Sequence, residues 1–293
     1  MEHNQPFKSH LVLKPYLSPM QGPIGVFDSG FGGLTVLKSI AAKLPQYDYL
    51  YLGDNARAPY GSRSFETVYQ YTLECVKYLF SQGCPLVILA CNTASAKALR
   101  TIQQHDLPKI APQNRVLGVI RPTTEKVGEI SSGKHVGVLG TRGTVQSESY
   151  VVEVHKFFPE VTISQEACPM WVPLIENNEH ESQGASYFIE QHIKSLLEKD
   201  PQIDTIILGC THYPLLKNQI EKFLSNKIQV LAQGDLVANS LVDYLQRHPE
   251  METRLSKNGT FRFETTDDSN AFDEMGSRFF GQRIQSKTIH LPV

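Results

Sequence analysis

The chain has 293 residues, 41% of them hydrophobic and 20% charged, with a net charge of −2. That length and apolar content support one large domain or two ordinary lobes, and the near-neutral balance gives no basic face of the kind a nucleic-acid binder needs. No run reaches membrane-helix length, the first twenty-one residues are too broken by prolines for a signal-peptide core, and five cysteines without a CxxC pair argue against a disulfide framework or a zinc site.

A cytoplasmic protein is therefore expected. From residue 24 onward, short apolar runs alternate with longer helical patterns, the signature of an α/β fold with a mainly parallel sheet. IGVFD at 24–28 reads as a buried strand ending on an acid, followed by the loop SGFGG and a helix over 34–43. DYLYLGD at 48–54 is the next strand, NARAPYGSR a loop, and 65–82 a helix. PLVILA at 85–90 is a strand that runs straight into Cys91. The helix-forming stretch NTASAKALRTIQQ follows it, with Asn92, Thr93 or Ser95 as candidate caps.

The pattern then restarts. VLGVI at 116–120 leads to a helical stretch, and HVGVLG is a buried strand that opens into the loop TRGT. A helix around 145–157, a strand VTISQEAC and an amphipathic helix over 179–198 come next. DTIILG at 204–209 is a strand that again delivers a cysteine, Cys210. The last sixty or so residues read as one helix over 235–246, a polar linker, the run FRFETTD and a closing segment TIHLPV.

Two pairs of segments match. IGVFDSGFGGLTV resembles VGVLGTRGTVQS, and VILACNTAS resembles IILGCTHYP. Cys91 lies 63 positions after Asp28, and Cys210 lies 69 after Thr141. Similar spacing of both parts predicts two related α/β lobes. In open parallel sheets ligands bind beyond the carboxyl ends of the strands, so Asp28, Cys91, Thr141 and Cys210 are expected at one edge. A cysteine beside a helix amino terminus is expected to have its pKa lowered from about 8.5.

Such a thiol can be a nucleophile, a metal ligand, a redox centre or a base, and the doubling separates these roles. A single nucleophile would leave the second copy idle. A redox pair commonly uses CxxC, which is absent. Proton transfer at a stereocentre needs one thiol on each face of a flat carbanion, and two lobes around a shared cleft supply that. Cys75, Cys84 and Cys168 read as small buried hydrophobes. Asp28 could equally cap the helix after it, and His212 could be a capping residue, although its place two positions past Cys210 suits it to assist that thiol. No Walker motif, no GxGxxG loop and no lysine with Schiff-base surroundings is present, so no cofactor and no metal is expected. The alternatives are a cysteine-dependent hydrolase or lyase, with Cys91 as nucleophile and Cys210 as acid, and a non-catalytic ligand-binding module.

The motifs DSGFGGLTV, GDNARAPYGSRS, ACNTASA, GTRGTV, CPMWVPLIE and GCTHYPLL, in this order, resemble the glutamate racemases of the aspartate/glutamate racemase superfamily. The match runs from about Ile24 to the end, and NARAPYG is its most discriminating element. The resemblance implies a cytoplasmic isomerase that makes D-glutamate for peptidoglycan without pyridoxal phosphate or metal. It implies two pseudo-symmetric lobes, one from 22–115 plus 232–293 and one from 116–231, with the site in the cleft between them. A homodimer with glutamate as substrate, and neither a nucleic-acid nor a membrane partner, goes with that reading.

On the same basis Cys91 serves the D-enantiomer and Cys210 the L-enantiomer. Asp28 supports the Cys91 side, and His212 with Glu176 supports the Cys210 side. Asp28, Ser29, Pro59, Tyr60, Gly61, Asn92, Thr93, Thr141, Thr144, Thr211 and His212 are the implied substrate-binding residues. Aspartate or hydantoin racemisation is the alternative within the superfamily. Phe31 stands where a smaller aliphatic is more usual, and the extension over 1–21 matches no shared motif.

Overall fold

The computed structural model describes residues 21–291. Apart from Gln21, the amino-terminal extension lies outside the described residues, as do the last two residues of TIHLPV. Among the described residues ten strands form two sheets. The larger contains β1 (Ile24–Asp28), β2 (Tyr49–Gly53), β3 (Leu86–Leu89), β4 (Arg115–Gly118), β9 (Phe261–Thr265) and β10 (Ser286–Thr288). The smaller contains β5 (His135–Gly140), β6 (Thr162–Ala167), β7 (Thr205–Gly209) and β8 (Gln229–Leu231). Every pairing within them is parallel.

The strand orders are β10-β9-β2-β1-β3-β4 and β6-β5-β7-β8. The four strands β2-β1-β3-β4 therefore repeat as β6-β5-β7-β8, so the two lobes share one winding and the larger adds two strands at an edge. In such windings the chain reverses its direction of travel across the sheet between the first and third strands, which opens a crevice there. Asp28 ends β1, and Cys91 lies two residues beyond its neighbour β3. Thr141 follows β5, and Cys210 follows its neighbour β7. The central strands β1, β2, β3 and β7 are buried along their whole length, as helix-covered parallel strands should be.

Several expectations are corrected. β4 places residues 116–118 in the larger sheet, because its whole length pairs with β3, so the division expected at 115 cuts through a strand. Only Arg115–Gly118 of that region is strand, and a helix begins at Ile120. The single helix expected after Cys91 is broken: Asn92–Lys97 ends at Ala98, and a π-helical turn covers Ile102–Asp106. The helix around 145–157 is two, Arg142–Gln146 and Ser149–Phe157, because Glu148 takes a left-handed conformation with φ 55°. A helix at Ser269–Phe280 stands between FRFETTD and TIHLPV, where no element was expected. Its ends carry ordinary signals: Asp268 accepts a hydrogen bond from the Ala271 N–H at 2.7 Å, and Gly281 closes it with φ 85°.

One hydrophobic cluster runs through both lobes. It joins Ile24, Val26 and Tyr51 of the larger sheet to Leu139, Ile206 and Leu208 of the smaller, with Trp171 and Tyr213 fully buried in it. The helix Gly234–Arg247, after the chain has left the smaller sheet, packs along Gly33–Lys43 of the larger.

Candidate active site

The carboxyl ends of β1, β3, β5 and β7 converge on a cavity of about 220 Å³. Its wall contains Cys91 and Cys210, both 6% exposed, so each thiol reaches the cavity from a nearly dry position. Ser29, Pro59, Tyr60, Gly61, Asn92, Thr93, Thr141, Thr211, His212 and Glu176 also line it. Two predicted site residues stand behind the wall instead. Asp28 is 1% exposed and Thr144 is fully buried, and neither lines the cavity. A larger groove of about 670 Å³ runs past Arg100, Arg121, Lys156 and Tyr244, and none of the predicted site residues reaches it.

Cys91 precedes the helix Asn92–Lys97 and caps it, its sulfur accepting from the Ala94 N–H at 3.5 Å. The Ser29 hydroxyl lies 3.6 Å from the same sulfur. Burial, with the neighbouring Asp28 charge, pushes the Cys91 thiol up to about 12, against the help of those two donors. The lowering expected for a thiol at a helix start is thus reversed. A six-residue helix offers little dipole, while removing water from a thiolate costs far more. Its thiolate, once formed, is a strong base.

Asp28 accepts from the Gly30 N–H at 2.9 Å and from the Thr211 hydroxyl at 3.3 Å. Burial raises its pKa, and the charge of His212 and these donors only partly oppose that. On the other side, His212 Nε2 sits 2.9 Å from Glu176 Oε1. Burial alone would pull the imidazole down, but Cys210 and Glu176 outweigh it and hold His212 at about 10. A protonated imidazole therefore stands beside Cys210 at neutral pH. The fit there is close. A Cβ at Gly32 would come within 2.2 Å of the Thr211 hydroxyl and 2.4 Å of His212 Nδ1, so only glycine lets the first loop pass.

The remaining wall is built from hydroxyls and a loop. Thr93 and Thr141 hydroxyls meet at 2.9 Å across the two lobes, and Thr144 joins both, at 3.4 and 3.1 Å. Tyr60 is 1% exposed and donates its hydroxyl to Asp54, which also takes Arg57 Nε at 2.7 Å and the Thr266 hydroxyl at 2.9 Å. That network anchors the Ala58–Ser62 loop over the cavity. Among the described residues no cluster of three or more His, Cys, Asp or Glu is placed to hold a metal.

The sequence missed several wall residues: Ala58, Ser62, Arg142, Cys168, Pro169, Val172 and Pro173. Cys168, read as a plain buried hydrophobe, is fully buried and also lines the cavity. The proximity of CPMWVP to the site was carried by its motif, but no periodicity marks which of its side chains face inward. Phe279, on the unforeseen helix, meets the His212 ring edge-on at 5.1 Å. Phe31 stacks on Phe272 of that helix at 5.4 Å, which explains how a large residue fits the first loop.

The model of the Asp/Glu/hydantoin racemase family matches residues 24–241. A glutamate racemase from Sulfurihydrogenibium sp. (strain YO3AOP1) is 38% identical over 270 residues, covering 92% of this chain and 97% of that protein. The crystal structure of a glutamate racemase isoform from Bacillus anthracis superposes with a TM-score of 0.84 at 34% identity, covering 93% of this chain and 98% of that one. A Francisella tularensis glutamate racemase, solved in complex with D-glutamate, gives 0.82 at 32% identity, covering 92% and 98%. With its matched strand ends, its paired thiols and these likenesses, the chain belongs to the Asp/Glu/hydantoin racemase family.

Proposed function

We propose that this protein interconverts L- and D-glutamate by proton transfer between two cysteines, supplying D-glutamate for peptidoglycan. The observation that carries the reading is the presence of two buried thiols, Cys91 and Cys210, delivered by equivalent strands of two like-wound lobes to one small cavity. At about 220 Å³ the cavity is below the range of about 300–1,000 Å³ usual for larger ligands, which suits a single amino acid. Neutral donors dominate its wall, where Arg142 and His212 are the basic side chains, so most of the groups available to hold carboxylates are uncharged. The relatives quoted above supply the choice of glutamate.

In the L-to-D direction the Cys210 thiolate takes the Cα proton, leaving a carbanion, and the Cys91 S–H delivers its proton to the opposite face. The two sulfurs end with exchanged protonation, which is the state the reverse reaction needs, and proton exchange with solvent once the product has left resets them for another L-glutamate. The raised pKa of Cys91 keeps that thiol protonated at the start, as this direction requires. Asp28 acts on the Cys91 side and Glu176 acts through His212. An α-proton is a very weak acid, so desolvation of the thiolate and donors for the developing charge must work together. A cytoplasmic homodimer with lobes dividing near 118 and 232 belongs to the same proposal.

The test is incubation with L-glutamate in deuterated water. Deuterium at Cα with loss of optical rotation is the expected result. Unchanged rotation while an amide or ester is cleaved would instead establish a cysteine hydrolase.

A further inference from the structure

Behind Cys91 the implied substrate-binding residue Asn92 belongs to a closed group of buried polar side chains whose other members, Tyr150 and Gln233, the reaction above does not use. Asn92 follows the thiol and lines the cavity. Tyr150 comes from the helix Ser149–Phe157 beside the smaller sheet, and Gln233 precedes the helix Gly234–Arg247, where the chain returns to the larger lobe. They are 2%, 0% and 4% exposed. The Tyr150 hydroxyl lies 2.7 Å from Asn92 Oδ1, Asn92 Nδ2 lies 2.8 Å from Gln233 Oε1, and Gln233 Nε2 lies 2.8 Å from the Tyr150 hydroxyl. Gln233 Nε2 also reaches the Val119 carbonyl at 3.1 Å and the Thr123 hydroxyl at 3.0 Å.

One backbone group sets the polarity of the whole ring. The Val119 carbonyl can only accept, so the Gln233 atom facing it must be the NH₂. Gln233 then presents its carbonyl to Asn92, which must answer with an N–H. Asn92 therefore turns its oxygen to Tyr150, whose hydroxyl donates to it. Turning both amides over would set the Gln233 oxygen against the Val119 carbonyl at 3.1 Å, two acceptors without a proton between them. Asn92 is left with one uncommitted N–H, whose direction the ring fixes.

We propose that Gln233 and Tyr150 are positioning residues that hold the Asn92 amide in one orientation, so that its spare N–H is presented to a substrate carboxylate. This rests on the reading of the cavity as a glutamate site and deepens it. Val119 and Gln233 stand where the chain crosses between lobes, outward after β4 and back after β8. The same bonds thus join both crossings to the residue after Cys91, and the donor keeps its aim only while the lobes keep their relation.

The experiment uses the full-length protein with Tyr150→Phe, Gln233→Glu and Asn92→Ala, alone and combined. Losing a buried partner is worth roughly 5- to 100-fold. Tyr150→Phe is expected to raise the KM for glutamate by about that factor, with kcat changed far less and the melting temperature lowered by a few degrees, since two buried groups lose a partner. Gln233→Glu replaces a donor by a carboxyl, so its activity should decline with rising pH as the new group ionises against the Val119 carbonyl, a limb the wild type lacks. In the Asn92→Ala background both effects should shrink to below about twofold, since positioning acts only through Asn92.

A readout independent of activity is the side-chain amide signal of Asn92 in ¹⁵N spectra, assigned by its loss in Asn92→Ala. In Tyr150→Phe that signal should shift and its protons should exchange faster with solvent. Effects that multiply fully in the Asn92→Ala background, or an Asn92 signal unmoved in Tyr150→Phe, would overturn the proposal, and the tyrosine variant alone suffices if the glutamine variant does not fold. A wild type inert toward glutamate, with the Asn92 signal shifted as expected in Tyr150→Phe, would overturn the functional reading while supporting the positioning role.

Discussion

His212 holds a proton in a place where burial alone would remove it, and this gives the protein a pH dependence with a definite sign. Its folded pKa of about 10 stands above the unfolded value of about 6.5, so the stability that His212 gains from Glu176 and Cys210 is fully present below about 6.5. It is lost as pH rises through about 10. Urea unfolding of the wild type across pH 6.5 to 10 should show that decline, and His212→Asn should be both less stable at neutral pH and flatter across the window. A wild-type stability that stays level there would contradict a charged His212. The thiols make the second prediction at this scale. Cys91→Ser and Cys210→Ser should each lose racemisation by about 10³-fold or more. Each should keep one-way elimination from a β-leaving-group analogue, with opposite enantiomer preference. Shared preference for one enantiomer would refute the two-face arrangement.

At the scale of elements, the site depends on a helix that touches none of the reacting groups. Ser269–Phe280 sets Phe279 against the His212 ring and Phe272 against Phe31, so it backs both the imidazole and the first glycine loop. Phe279→Ala should cost about 3–5 kcal/mol of stability, as buried aromatic truncations do. It should also lower activity, which thermal melts and steady-state rates would check together. A variant with full activity and an unchanged melting temperature would mean that the helix merely covers the sheet. This helix was legible in part: Asp268 and Gly281 are ordinary start and stop signals, and Phe272, Gly276, Phe279 and Phe280 repeat at helical spacing. The polar residues between them obscured it. The breaks at Ala98 and Glu148 carried no such mark, because alanine and glutamate are good helix formers and the chain turns there to meet neighbouring elements.

At the scale of the molecule, the two lobes are joined by contacts of both kinds. One apolar cluster crosses between the sheets, and the pairs Asp28–Thr211, Thr93–Thr141 and Asn92–Tyr150 bond across them. Calorimetry should therefore show a single unfolding transition rather than one for each lobe. Glutamate at about 100 times its Kd should raise stability by about 2.7 kcal/mol. Two resolved transitions, only one of them moved by glutamate, would mean that the lobes fold and bind independently.

The sequence by itself determined the α/β class, the repeated strand-to-cysteine device and most of the residues around the cavity. Buried parallel strands must be apolar runs, and the residues at their carboxyl ends are released from that constraint, so Asp28, Cys91, Thr141 and Cys210 stand out from their neighbours. What only the tertiary structure decided is how those ends act on one another. The pKa of Cys91 rises rather than falls because burial and Asp28 come from the packed lobe, not from the local helix. The roles of Tyr150, Gln233 and Phe279 were invisible for the same reason. Each lies 58 or more positions along the chain from the site residue it touches, and such contacts exist only once the lobes have closed on each other.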